Sequence, residues 1–298
     1  MKRCVIYVLL LTLCAVLSIE GAPLAGTPVI VESGARIQAA IDAAEPREII
    51  AITEGIYREN LTISRSVTLL GGAGVRLIPE DVTQPAISIS GTDGVMIYGF
   101  QIGQAAIGID ISRSSCTVAH CSVASSKGGI CVRAFDGDAV TVHDTLFRSG
   151  REGAGAGVVG DGSVLFLRCR FEELVTGLVI GGAGTTMMQD CIVEYCYEAV
   201  VASRTATVAL TGCTLSGLDA NAIRLDPVPF PAAEGALIAI NNVIEDVDGF
   251  GITLCGLQGI VPDAPCGRVA GLGNAFARIG RSVVCPEELL LPEGFTAD

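Results

Sequence analysis

Along most of the chain, apolar residues alternate with polar or small ones in short runs, and the runs recur. A small residue followed by alternating aliphatics appears at Ala86-Ile87-Ser88-Ile89, Ala106-Ile107-Gly108-Ile109, Gly129-Ile130-Cys131-Val132, Gly177-Leu178-Val179-Ile180, Ala222-Ile223-Arg224-Leu225 and Gly251-Ile252-Thr253-Leu254. Between them lies a second unit, in which a short polar or small residue is followed two positions on by a large apolar one. It stands at Cys121-Ser122-Val123, Thr145-Leu146-Phe147, Cys169-Arg170-Phe171, Cys191-Ile192-Val193, Cys213-Thr214-Leu215 and Asn242-Val243-Ile244. Alternation at period two reads as strand, and repetition at a spacing in the low twenties reads as a solenoid. A coil that short has no room for a crossover helix, so it must run strand, turn, strand, turn. Alone it cannot cover its apolar side; stacked about 4.8 Å from its neighbours, it pairs its backbone groups and extends a common core. The pattern predicts an all-β chain, a right-handed parallel β-helix of about nine to ten coils.

The amino-terminal part breaks the pattern. Ala35 to Ala44 (ARIQAAIDAA) carries Ile37 and Ile41 four residues apart, as one apolar helix face requires. This predicts a short helix that caps the open end of the first coil. Before it, Lys2-Arg3, an uncharged apolar run from Val5 to Ile19 and the small residues Gly21, Ala22 and Ala25 read as a secretory signal peptide over residues 1–25, with a short membrane anchor as the alternative. Residues 27–285 then form the β-helix domain and 286–298 a carboxy-terminal tail. The expected location is secreted, periplasmic or cell-surface, with no membrane span in the mature chain.

Three stretches near the start carry a family resemblance. IQAAIDAA, then Gly55-Ile56-Tyr57-Arg58-Glu59-Asn60, then Ser66-Val67-Thr68-Leu69-Leu70-Gly71-Gly72, resemble the opening of secreted right-handed β-helix proteins of the pectin-lyase-like superfamily. That opening is similar in pectin methylesterases and in NosD-type periplasmic proteins linked to copper loading. The resemblance implies the fold, but this fold hosts lyases, hydrolases, esterases and epimerases alike, so function must come from the site. The catalytic motifs that the resemblance would imply are missing. The chain has no Asn-x-Asp, Asp-Asp, Gly-His-Gly or Arg-x-Lys set like that of polygalacturonases, and no Arg-x-Pro-x-x-Arg like that of pectate lyases. Tyr98-Gly99-Phe100 is similar to the start of the alginate epimerase site, but Gln101-Ile102-Gly103 follows where Asp-Pro-His should stand.

Composition narrows the partners. The formal net charge is −13, which repels nucleic acid and anionic membranes. There is no Trp and there are five Tyr, a thin supply for a sugar-stacking platform. Two His and four Met, one of them Met1, are too few ligands for a copper-loading role, and no metal site or cofactor is read from the sequence. Asp136-Gly137-Asp138 and Glu245-Asp246-Val247-Asp248 offer weak Ca²⁺ ligation against the plainer reading of exposed acidic turns.

Cysteines occupy the position at which the family stacks asparagine: Cys121, Cys169, Cys191 and Cys213, with Thr145 and Asn242 in the remaining coils. Counting parity back puts Val118, Val142, Phe166, Met188 and Leu210 inside, so the column should line the core edge as small apolar residues. Cys255 pairing with Cys266 or with Cys285 is a disulfide reading that an exported chain permits.

One constellation carries possible chemistry. Immediately before the cysteine column stand His120, Asp144, Arg168 and Asp190, then Gly212 and Asn241; one residue earlier come Ala119, His143, Leu167, Gln189 and Thr211, expected to face outward. Stacked coils make these neighbours in a strip. Asp144, Arg168 and Asp190 are the catalytic candidates, since two carboxylates flanking a guanidinium suit acid–base or nucleophilic work on a uronate. His120, His143 and Gln189 are the ligand-binding candidates. The competing reading is structural, because Gly, Asn, Asp and His tolerate the left-handed conformation of a tight turn. Expected function is therefore an exported β-helix protein binding an extracellular polysaccharide without catalysis. The alternatives are a polysaccharide esterase, lyase or hydrolase, or a structural or adhesive surface protein.

Overall fold

Eleven short parallel strands, from Val29–Val31 through Cys116–Ala119, Ala139–His143, Ser163–Leu167 and Thr185–Gln189 to Arg268–Leu272, stack into one sheet of the computed structural model. A second, sixteen-stranded sheet holds the rest of each coil. The structure describes residues 28–72, 74–203, 205–226, 236–254 and 268–284. Every pairing in both sheets is parallel, with Val118, Val142, Phe166, Met188 and Leu210 in successive register. This is the predicted parallel β-helix. Residues 1–25, the Cys255, Cys266 and Cys285 pairing and the tail all lie outside the described residues. No helix among the described residues is long and apolar enough to cross a membrane.

Strand parity explains the core. Val118, Val142, Phe166, Met188 and Leu210 are all buried, as expected of alternate residues on one face. Phe171 lies flat on Phe147 of the preceding coil with ring centroids 5.0 Å apart and meets Phe166 of its own coil edge-on at 5.7 Å, so aromatic contacts tie two successive coils together. The helix Ile37–Ala43 buries Ile37 and Ile41 as predicted. Its first turn has no capping side chain of its own; instead the buried carboxylate of Glu59 accepts the Ile37 and Gln38 N–H groups at 2.7 and 3.0 Å. A negative group at this end also complements the helix dipole.

The cysteine column faces the core as expected, and the seven described cysteines are free. Its thiols copy the amide they replace. Asn242 and Asn274 donate to the carbonyls of Leu210 and Ala239 in the preceding coil at 3.1 and 2.8 Å. Cys169, Cys191 and Cys213 donate in the same way to Val142, Phe166 and Met188 at 3.3, 3.4 and 3.5 Å.

Two details qualify the pattern. The glycine-rich stretch Ser149 to Gly157 runs into a strand, Ala154–Gly160, paired with Ser122–Ala134 and Thr176–Gly181. Gly155 is needed there: a Cβ would lie 2.5 Å from the Phe171 ring and 2.7 Å from the Gly177 carbonyl oxygen. Ala119 and Leu167 belong to the outward row yet are buried. Their register neighbours, Tyr98 and His143 beside Ala119 and His143 and Gln189 beside Leu167, flank them on both sides.

Candidate functional site

The strip begins as a backbone device. His120, Asp144, Arg168 and Asp190 all take φ between 50 and 52°, and Gly99, Gly212, Asn241 and Gly273 continue the column with positive φ. Each turns the chain sharply out of the first sheet, and each keeps its N–H satisfied by the next coil. The His120, Asp144, Arg168 and Asp190 amides donate to the carbonyls of His143, Leu167, Gln189 and Thr211 at 2.9–3.1 Å. The structural reading of these residue types is therefore correct as far as the backbone goes. A turn residue with its Cβ forced outward also projects its side chain along the coil stack, which is how side chains distant in sequence come together.

Asp144 is the centre. Arg168 grips both its oxygens, with Nε on Oδ1 and Nη2 on Oδ2, each at 2.8 Å. His143 Nδ1 lies 2.8 Å from Oδ2, and His120 Nε2 lies 3.7 Å from the same oxygen. The Arg168 hydrogen bonds, aided by His143 and opposed by partial burial, hold the Asp144 carboxyl well below the usual carboxylate range. Asp144 raises the Arg168 guanidinium in return. The Asp144 side chain is 23% exposed and that of His143 12%, whereas His120 and Arg168 are about half exposed.

The strip's members are not equally joined. Asp190 is exposed and accepts a long contact from Gln189 Nε2 at 3.4 Å, and its Oδ1 sits where a Cβ on Gly212 would be. It acts on Arg168 through its charge. At the other end, Tyr98 joins a cluster the sequence reading left out: its ring centroid is 4.9 Å from that of His120, which meets His143 edge-on at 5.6 Å. The signal was available, since Tyr98-Gly99-Phe100 has the same offsets as His143-Asp144-Thr145. Gly99 takes the left-handed turn, and Phe100 is buried like the ladder residues.

His120, His143 and Asp144 each offer one ligating atom, all within 4.8 Å of one another. A shallow cleft of about 300 Å³ lies elsewhere, at the next turn of the coils, lined by Gln104, Ser125, Arg148, Ser149 and Glu152 among others. It contains none of the strip. The strip remains the better candidate, because its groups are mutually oriented by hydrogen bonds and ring contacts. The acidic turns are otherwise engaged: Asp138 accepts the Phe135 N–H at 2.7 Å, while Glu245 and Asp246 pair with Arg278.

Among solved structures, an alginate lyase from Paenibacillus sp. str. FPU-7 is similar with a TM-score of 0.67 at 11% identity, over 87% of this chain and 98% of the lyase. A polygalacturonase from Erwinia carotovora ssp. carotovora gives 0.60 at 12% identity, over 92% of this chain and 99% of that one. A tailspike capsular polysaccharide depolymerase from the Acinetobacter baumannii bacteriophage Fri1 gives 0.52 at 12%, over 88% of this chain and 62% of that one. At such identities the likeness is one of fold. No curated protein matches the sequence. The model of the right-handed β-helix region matches residues 58–215 and 105–261, more than half of the chain. With its coils stacked in parallel among the described residues, the chain thus belongs to the right-handed β-helix family.

Proposed function

We propose that this chain is an exported protein that binds an extracellular polysaccharide along the turn strip from Tyr98 to Asp190, without breaking it. The observation that carries the reading is the bidentate Arg168–Asp144 pair. General acid catalysis needs a carboxyl group that holds a proton at working pH. Asp144 is driven the other way, and Arg168, whose Nε and Nη2 edge is taken up by it, cannot offer that edge to a substrate carboxylate. What the strip offers instead is a fixed row of hydrogen-bonding groups beside the Tyr98 and His120 rings. Such rings supply an apolar face and the polar groups orient a ligand, the usual division of labour in a binding site.

The neighbours' names add support of a general kind, since alginate lyase, polygalacturonase and capsular depolymerase all denote proteins acting on polysaccharides. The chain's charge of −13 favours a neutral polymer over a polyanion. The test is incubation of the purified chain with neutral and acidic polysaccharides, with and without Ca²⁺, following retention and product release together. Retention on a neutral polymer, weakened in Asp144→Asn and Asp190→Asn, supports the proposal. Products from any polymer would replace it with the enzymatic reading on Asp144, Arg168 and Asp190. Neither retention nor products would point to a structural or adhesive role.

A further inference from the structure

The turn column brings two imidazoles and a carboxylate to one point, and among the described residues no other three His, Cys, Asp or Glu side chains are grouped this closely. We infer that His120, His143 and Asp144 form a binding site for a divalent first-row transition ion, with His120 Nε2, His143 Nδ1 and Asp144 Oδ2 as the protein ligands.

The distances carry the inference. Nitrogen and oxygen ligands about 2.0–2.2 Å from a zinc ion stand roughly 3.0–3.5 Å from one another. Here His143 Nδ1 is 2.8 Å from Asp144 Oδ2 and His120 Nε2 is 3.7 Å from it. One separation is slightly short, one slightly long, and the third, between the two histidine nitrogens, is at most 4.8 Å, so side-chain rotations that move the donor atoms by roughly an ångström admit the ion. His120 has the freedom to make them, because its side chain is about half exposed. The backbone need not move: the left-handed turns at His120 and Asp144 are held by coil-to-coil N–H bonds to His143 and Leu167.

Arg168 serves as the outer support. Its Nε holds Asp144 Oδ1 at 2.8 Å and so fixes the carboxylate plane, the task outer-shell partners perform at metal sites. Oδ2 has two lone pairs, one engaged by Arg168 Nη2 and the other directed to His143. On binding, the ion takes the second lone pair; His143, which donates its Nδ1–H to Oδ2 in the free chain, passes to the tautomer protonated at Nε2, so that its Nδ1 lone pair becomes a fellow ligand. The exposed side leaves the remaining coordination positions to water.

The donor set selects the ion. Ca²⁺ and Mg²⁺ prefer oxygen ligands, whereas two imidazoles with one carboxylate suit zinc, nickel, cobalt or copper. Cys121 follows His120 directly in sequence but is buried with its sulfur bonded to the Ala119 carbonyl, so thiolate is outside the set. The inference does not depend on polysaccharide binding, and its test contains no glycan.

The experiment is titration of the full chain with Zn²⁺ by calorimetry, with Ca²⁺ and Mg²⁺ in parallel, and with Co²⁺ followed by absorption. The expected result is one Zn²⁺ per chain with no matching Ca²⁺ or Mg²⁺ signal. His120→Ala and His143→Ala should each weaken Zn²⁺ more than about tenfold, a loss at least as large as that from disturbing an outer-shell partner. Glu173→Gln, on another turn, should leave it unchanged. Co²⁺ should give visible ligand-field bands without the near-ultraviolet charge-transfer band of a cobalt thiolate. His143→Gln replaces His143→Ala if circular dichroism shows that the latter is unfolded. Absence of Zn²⁺ binding, binding unchanged in the histidine variants, or a thiolate band would each overturn the inference.

Discussion

Raising the pH should unfold this protein through its buried thiols. Burial pushes Cys116 up to about 12, and both Cys121 and Cys196 to about 11, against an ordinary thiol value of about 9. Cys191 and Cys213 are raised as well, first by hydrogen bonds to neighbouring thiols in the column and then by burial. A group whose folded value lies above its unfolded value keeps the folded state protonated where the unfolded chain has already lost the proton. Its contribution is complete below about pH 9 and is lost as the pH climbs towards 11 or 12. At pH 11 the linkage amounts to about 2 kcal/mol each for Cys121 and Cys196 and about 3 kcal/mol for Cys116. Those three alone sum to about 7 kcal/mol, within the net stability of about 5–15 kcal/mol typical of folded proteins. The assay is guanidinium unfolding at intervals from pH 8 to 11, with peptide-resolved alkylation to follow each thiol. Stability should fall steeply above pH 9, and these thiols should react only as the chain unfolds. The triple variant Cys116→Val, Cys121→Ala, Cys196→Ala should show a shallower fall. Equal slopes in both proteins, or rapid alkylation of Cys121 and Cys196 in the folded chain at pH 8, would refute the reasoning.

Three further outcomes follow from packing. Glu59→Ala leaves two helix N–H groups in a buried place without their charged acceptor, and should cost about 2–4 kcal/mol in chemical denaturation; a change under about 0.5 kcal/mol would contradict it. Phe171→Ala removes a ring that touches Phe147 and Phe166 and should cost about 3–5 kcal/mol, whereas Phe171→Leu should cost clearly less. Gly160→Ala places a Cβ 1.8 Å from the Ala134 carbonyl oxygen at φ +119° and should cost about 3 kcal/mol or more, while Gly157→Ala meets nothing within 4 Å and should stay within about 0.5 kcal/mol; equal effects of the two would contradict the geometry.

The fold was legible because strand parity and coil period leave few alternatives. Val118, Val142, Phe166, Met188 and Leu210 could be placed inside from their spacing alone, and the helix at Ile37 from a single apolar pair. The turn column was legible for the same reason, since Gly, Asn, Asp and His recur where the left-handed conformation is required. What could not be read was the direction of side chains within it. The sequence makes Asp144, Arg168 and Asp190 equivalent steps, yet Arg168 reaches back to Asp144 with both ends of its fork and meets Asp190 only through charge. Nor does spacing reveal that His120 and His143, one coil apart, converge on a single carboxylate oxygen. Such convergence depends on torsions chosen by neighbours from other coils, which a linear pattern does not encode. Tyr98 lies one coil before His120 and in register with Ala119, and Ala119 contributes no polar group to continue the row, so the spacing of polar residues does not reach it.

The claim that the turn strip is the binding surface has a direct measurement in hydrogen–deuterium exchange of the chain with and without the polysaccharide that retains it. The account predicts slowed exchange at Gly99, His120, Asp144, Arg168 and Asp190, where the strip's backbone lies, and no change around Ser149 to Gly153. Protection centred on Arg148 to Glu152, with the strip unchanged, would contradict it and move the binding surface to the cleft.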